Sequence, residues 1–60
     1  MTRLLRVPEA ATLLNISQKA TWAMIYRREI DVVRIGRSVR IPESALNELI
    51  ERGTTPAGRR

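Results

Sequence analysis

The sequence predicts a mainly α-helical domain with three short helices and one two-stranded β-hairpin. Three observations support this. Apolar residues recur at helical spacing in residues 8–15, 17–28 and 42–52, and apolar and basic residues alternate on both sides of Gly36. The chain has 60 residues, and a domain of that size buries only about 60% of the surface that its unfolded form exposes. The sequence therefore predicts one domain with a modest core.

The first predicted helix starts near Pro8 and ends at Asn15. Proline is tolerated in the first turn because the N–H that it lacks has no partner there. Glu9 follows, where a carboxylate is favourable against the positive end of the helix dipole. Asparagine is the non-glycine residue that most readily adopts the left-handed conformation ending many helices.

The second predicted helix begins after Ser17, whose hydroxyl is expected to accept from a backbone N–H one turn on, and runs to about Arg28. At 100° per residue, its inner side centres on Thr21. The other side has no carboxylate and carries six residues: Gln18, Lys19, Trp22, Ala23, Tyr26 and Arg27. Two helices joined by a short turn predict a helix-turn-helix unit, whose second helix enters the DNA major groove.

Residues 33–41 predict a hairpin of two strands, Val33–Ile35 and Val39–Ile41, joined by the three-residue connection 36–38. We expect its buried side to carry the apolar residues Val33, Ile35, Val39 and Ile41. The outer side and tip would then present Arg34, Arg37 and Arg40. A basic hairpin after a helix-turn-helix unit is a wing, so the predicted fold is a winged helix-turn-helix.

A third helix is predicted from Pro42 to about Arg52, ended by Gly53. Its apolar stripe, expected to close the core, consists of Ala45, Leu46, Leu49 and Ile50. We place the DNA-binding domain at residues 1–53. Residues 54–60 have no apolar side chain larger than alanine and are predicted to form a disordered basic tail.

The charges favour a polyanionic partner. Lys and Arg number 11 against 6 Asp and Glu, for a net charge of +5, and every cation except Lys19 is arginine. Acidic residues are absent from residues 10–28 and 32–41. Guanidinium groups pair with phosphate and with guanine edges, so this distribution predicts a surface that faces double-stranded DNA. The alternative is a solvated basic face without a partner.

Other functional classes find little support. The chain has no cysteine or histidine, so we predict no disulfide, no metal site and no cofactor. Its serines, Ser17, Ser38 and Ser44, have no neighbouring base to activate them, and the sequence has no phosphate-binding glycine loop. We therefore predict that the protein is not an enzyme. It has neither a run of about 20 apolar residues nor a signal peptide, and we expect it in the cytoplasm of a bacterial host, associated with the nucleoid.

The segments 4–11, 13–17, 33–37 and 40–42 together resemble the excisionase-type helix-turn-helix family. These are small winged domains related to the DNA-binding part of MerR-type regulators, and the resemblance covers residues 4–52. It implies that the second helix reads the major groove and that the wing contacts the backbone or the adjacent minor groove. The positions that correspond to the family's reading residues are Gln18, Lys19, Trp22, Ala23 and Arg27, with Arg37 and Ser38 on the wing.

Four positions depart from the family pattern. Asn15 and Arg28 stand where glycine is common, Ala23 where a basic residue is common, and Thr21 at a position that is usually apolar. Several site residues also have structural interpretations. Trp22 is as compatible with packing in the core as with DNA contact, and the case for DNA contact by Tyr26 is similar but weaker. Gln18 and Lys19 are compatible with a solvated first turn, and Arg27 and Arg28 with the helix dipole.

Two functional hypotheses follow. The first is an excisionase, or recombination directionality factor, which bends phage or element DNA and helps an integrase to assemble the excising complex. Cooperative head-to-tail self-association on neighbouring sites would then supply specificity, and the short chain without a dimerisation segment favours this hypothesis. The second is a small transcriptional regulator that occupies an operator as a symmetric dimer. A third, a protein-binding adaptor, would use the face of Leu46, Leu49 and Ile50, which the core is expected to cover.

Overall fold

Six short elements follow one another in the computed structural model, which describes residues 2–54. The elements are β1 (Leu4–Arg6), α1 (Val7–Leu14), α2 (Gln18–Tyr26), β2 (Val33–Ile35), β3 (Ser38–Pro42) and α3 (Glu43–Gly53). The three strands form an antiparallel sheet in the order β1-β3-β2. The predicted mainly helical fold with a hairpin wing is confirmed, and β1 is an additional strand. The predicted tail, apart from Thr54, lies outside the described residues.

The turn between α1 and α2 has the chemistry that the sequence predicts. Asn15 adopts a left-handed conformation with φ of 57°. Its N–H donates to the carbonyl of Thr12 at 3.1 Å, and the next N–H donates to Ala11 at 3.0 Å, which is a Schellman ending. The Ser17 hydroxyl then accepts from the N–H of Ala20 at 3.0 Å and caps α2. These local bonds fix the angle between the two helices.

The second helix ends at Tyr26, two residues earlier than predicted. Arg28 has a φ of 58°, its N–H donates to Ile25 at 3.1 Å, and the N–H of Glu29 donates to Met24 at 2.9 Å. This is a second Schellman ending, built on a residue with a Cβ. It explains why glycine suits this position, since an L-residue in the left-handed region costs roughly 1–2 kcal/mol.

The register of the wing differs from the predicted one. Ile35 lies opposite Ser38, Arg34 opposite Val39, and Val33 opposite Arg40. The connection is therefore the two-residue turn Gly36–Arg37, and its first residue has a φ of +60°, the conformation that a type II′ turn requires there. One residue fewer in the turn reverses the faces of β2 relative to β3.

The reversed faces change which wing residues are buried. Val33 and Ile35 are 37% and 56% exposed, so the prediction that they are buried is wrong. Ile41 is buried as predicted, and Val39 is half-buried. Arg34 lies on the same sheet face as Val39, whereas Arg40 lies on the opposite face, so these arginines do not share one outer side.

The core lies between the inner face of the sheet and the three helices. Leu5 of β1 stands opposite Ile41 of β3, and these two side chains are 1% and 0% exposed. The complete buried apolar set is Leu5, Val7, Ala10, Ala11, Ile25, Ile30, Ile41, Ala45 and Leu46. Of the predicted stripe on α3, Leu49 is packed at the margin and Ile50 is 48% exposed, so the prediction for Ile50 is wrong. The face named for an adaptor is thus mostly covered.

We expect the Thr21→Val substitution to leave stability unchanged or to raise it. Thr21 is fully buried and its hydroxyl donates to the Ser17 carbonyl at 3.0 Å. That carbonyl also accepts from the Thr21 N–H at 3.1 Å, so it keeps a partner when the hydroxyl is lost. Valine adds an apolar methyl at the same place, and the free energy of unfolding should rise by about 0–1 kcal/mol.

Thermal unfolding of Thr21→Val beside Thr21→Ser measures this effect. Serine keeps the hydroxyl and loses the methyl, so it should lower the free energy of unfolding by about 1 kcal/mol. If the free energy of unfolding falls further in the valine variant than in the serine variant, the hydroxyl of Thr21 holds the helix in place.

Candidate nucleic-acid interface

The outward side of α2 is exposed and free of acidic residues. Thr21 and Ile25 are the buried residues of this helix and dock it on the core. Gln18 and Lys19 are exposed in its first turn, and Tyr26 is 75% exposed in its last. Ala23 is half-buried between them. The helix therefore presents polar and aromatic groups to a ligand along its whole length.

Trp22 packs against the core on one side and lines a surface cleft on the other. It is half-buried against the core cluster, and its ring stacks on Tyr26 with centroids 5.9 Å apart and planes at 29°. Its outer edge borders a cleft of about 350 Å³ between α2 and the wing. The structural interpretation of Trp22 is thus correct for part of the ring, and DNA contact by the rest stays a prediction.

The wing places its predicted residues around two different clefts. Arg37 at the exposed tip, half-buried Ser38 and half-buried Arg40 line the cleft that contains Trp22. Nη1 of Arg40 donates to the carbonyl of Val39 at 3.0 Å, which holds the guanidinium end of this side chain against its own strand. Arg34 lies on the other face, where it shares a second cleft with Tyr26.

Arg27, at the C-terminal end of α2, forms an ion pair with Glu29. Its Nε lies 2.9 Å from Oε2 of Glu29, and both side chains are exposed. An exposed pair of this kind contributes only about 0–1 kcal/mol, so a phosphate could displace the carboxylate. The remaining ion pair within residues 2–54 joins Arg3 and Glu9 at 3.7 Å. Neither ion pair involves the wing, so no carboxylate within residues 2–54 lies within 4 Å of the guanidinium of Arg34, Arg37 or Arg40.

One basic residue at this surface, Arg6, was not predicted from the sequence. Arg6 of β1 lies opposite Arg40 of β3 and lines the same cleft as Arg37 and Trp22. No local sequence pattern predicts that Arg6 lies at the wing, because this position results from the pairing of β1 with β3.

Two further features of residues 2–54 bear on the kind of site. They contain no group of three His, Cys, Asp or Glu side chains able to hold a metal ion. No helix among them is long and apolar enough to cross a membrane.

An exposed second helix beside an arginine-bearing wing defines a DNA-binding helix-turn-helix domain. Comparison with known families agrees. The family model described as "Helix-turn-helix domain" matches residues 4–54. The chain belongs to this family of small helix-turn-helix domains, which contains excisionases.

Curated relatives carry two kinds of name. In two strains of Mycobacterium tuberculosis, a relative named "Putative DNA-binding protein" is 33% identical over 57 residues, which cover 95% of this chain and 73% of the relative. A protein of Saccharopolyspora erythraea named "Probable excisionase" is 43% identical over 49 residues, which cover 82% of this chain and 50% of that protein. No solved structure matches the chain.

Proposed function

We propose that this protein is a non-catalytic excisionase, a recombination directionality factor that binds and bends DNA beside an attachment site. The observation that carries the proposal is the acid-free outer side of α2 next to a wing bearing Arg37 and Arg40. The similarity to the Saccharopolyspora protein favours excision over other uses of the same surface. Its partners would be double-stranded DNA and an integrase. It would meet both in the cytoplasm of a bacterial host, at the nucleoid.

The dimensions of α2 suit the major groove. A helix with its side chains is about 10–12 Å in diameter, and the groove is about 12 Å wide. The nine residues of α2 at about 1.5 Å each would occupy roughly 13 Å along it. Gln18 and Lys19 in its first turn would lie nearest the bases, with Trp22, Ala23, Tyr26 and Arg27 farther along. The wing residues Arg34, Arg37, Ser38 and Arg40 would then hold the neighbouring backbone or minor groove.

One such domain covers few base pairs, so specificity would require several copies. We propose cooperative head-to-tail binding on tandem sites. Bending a short site costs on the order of 1–6 kcal/mol, which the added contacts of neighbouring copies would offset.

A small transcriptional regulator is the second candidate. The Mycobacterium tuberculosis relatives are compatible with it, because their name states DNA binding and nothing more. On this alternative, the same surface would occupy an operator, and two copies would bind an inverted repeat.

Footprinting with bend analysis on DNA flanking the gene, at two salt concentrations, separates these functions. Several phased direct repeats with strong bending are expected for an excisionase. One inverted repeat near a promoter, with little bending, would replace that proposal by the regulator.

Replacing Arg37 by alanine should weaken binding to all sequences equally. The side chain lies at the exposed tip of the wing and has no ion-pair partner within residues 2–54. If it neutralises one phosphate, the slope of log K against log salt should fall in magnitude by about 0.9. Fluorescence anisotropy on specific and random duplexes between 50 and 200 mM salt gives the slope, and an unchanged slope would remove Arg37 from the interface.

A further inference from the structure

Arg6 and Arg40 form a like-charged pair across β1 and β3. The register places them directly opposite each other, so both belong to one face of the sheet. Side chains at directly opposed positions have Cβ atoms about 4.5–5.5 Å apart, and two like charges there are unfavourable. The register that buries Leu5 against Ile41 imposes this pairing, but Arg6 is exposed and Arg40 half-buried, so packing does not require that both residues be arginine.

The nearby acidic residue does not neutralise this pair. Oε1 of Glu9 accepts from the backbone N–H of Arg6 at 2.9 Å, and its Oε2 lies 3.7 Å from Nη2 of Arg3. Glu9 therefore caps α1 and pairs with a different arginine. Within residues 2–54, no carboxylate lies within 4 Å of the guanidinium of Arg6, Arg37 or Arg40.

These three arginines surround one space. Arg6, Arg37 and Arg40 line a single cleft, with Ser38 beside them and the half-buried ring of Trp22 forming one wall. The cleft lies between the proposed reading helix and the wing, on the side that would face DNA. Guanidinium groups match the oxygens of a phosphate in a planar, forked arrangement.

We propose that Arg6 is a DNA-binding residue and that, with Arg37 and Arg40, it holds one backbone phosphodiester in this cleft. The anion relieves the repulsion between Arg6 and Arg40, and it fixes the wing relative to α2. The inference rests on the proposed DNA-binding function and adds a contact from β1, which lies outside both the helix-turn-helix unit and the hairpin.

The test compares Arg6→Gln with Arg3→Gln. Both variants lose one positive charge from neighbouring positions and keep a polar stem, but Arg3 lines a different cleft, beside Leu5 and Leu13. The α1 cap uses the backbone N–H of residue 6, so glutamine preserves it. Binding of each full-length variant to a random 20-base-pair duplex is measured by anisotropy at several salt concentrations, together with thermal unfolding of the free proteins.

We expect Arg6→Gln to reduce the magnitude of the salt slope by about 0.9 and to weaken binding about eightfold at 0.1 M salt, with little loss near 1 M. Arg3→Gln should change the salt slope and the affinity at 0.1 M salt by only a small fraction of these amounts. The midpoint of unfolding of Arg6→Gln should equal or exceed that of the wild type in low salt, because a like-charged pair is removed.

Two results would overturn the inference. If the wild type binds the duplex and Arg6→Gln has the same salt slope as the wild type, Arg6 holds no phosphate, while the proposed DNA-binding function is unaffected. If the wild type itself binds no duplex, the DNA-binding function fails and the inference fails with it. In the first of these cases, a lower unfolding midpoint of Arg6→Gln would assign Arg6 a structural role instead.

Discussion

Replacing Ile41 by alanine is expected to leave the protein largely unfolded at 25 °C. Ile41 is fully buried at the centre of the sheet, opposite Leu5. Truncation of a buried isoleucine to alanine costs about 2–5 kcal/mol. Domains of this size rarely have more than about 3–5 kcal/mol of stability, so one cavity at this place removes most of it. Far-ultraviolet circular dichroism during urea titration measures the effect.

Ile35→Ala is the matched control, since the same side-chain atoms are removed from the same hairpin. Ile35 is 56% exposed on the other face of the sheet. Its truncation should cost less than about 1 kcal/mol, mostly in strand propensity. The comparison also tests the register, because a three-residue turn would place both isoleucines on the buried face. Equal losses in the two variants would contradict the two-residue turn.

The parts of the fold that local chemistry determines were predictable from the sequence. Asn15 ends α1 and Ser17 caps α2 through bonds to residues within one turn, so both could be inferred from residue type and spacing. The three helices and the hairpin follow from periodicity in the same way. Arg28 shows the limit of this reasoning, since its left-handed conformation shortened α2 by two residues.

The parts that depend on distant pairing were not predictable. β1 has three residues, too few for an alternating pattern, and it exists because β3 provides a partner 34–38 residues away in sequence. The wing register depended on a single residue in the turn, and the alternation around Gly36 is compatible with either choice. The same pairing brings Arg6 to the wing, so the missed strand and the missed site residue have one cause.

The predicted interface also has a part that local sequence determines, on α2, and a part that depends on strand pairing, on the wing. The six residues of α2 needed only the helical period, and the structure gives Gln18, Lys19 and Tyr26 the exposure that a reading helix requires. The wing arginines were identified by type but not by face. Arg34 and Arg40 therefore line different clefts, because they lie on opposite faces of the sheet.

Substituting Gln18 or Lys19 by alanine is expected to relax sequence preference at one base pair by about 1–3 kcal/mol. Both side chains are exposed in the first turn of α2, and the N-terminal residues of a reading helix lie nearest the base edges. A glutamine amide pairs with adenine, and a lysine ammonium donates to the acceptors of guanine. Affinities for duplexes that carry every base at each position of the footprint measure the change.

Asn47→Ala is the control for Gln18, because it removes an exposed amide from α3 that lines neither of the two clefts at the wing. This variant should bind every duplex as the wild type does. If Gln18→Ala or Lys19→Ala instead weakens specific and random duplexes equally, that residue contacts the backbone, and base reading must be assigned to other positions on α2. A loss confined to one base pair would fix the direction in which α2 lies along the groove, because its first turn would then mark that base pair.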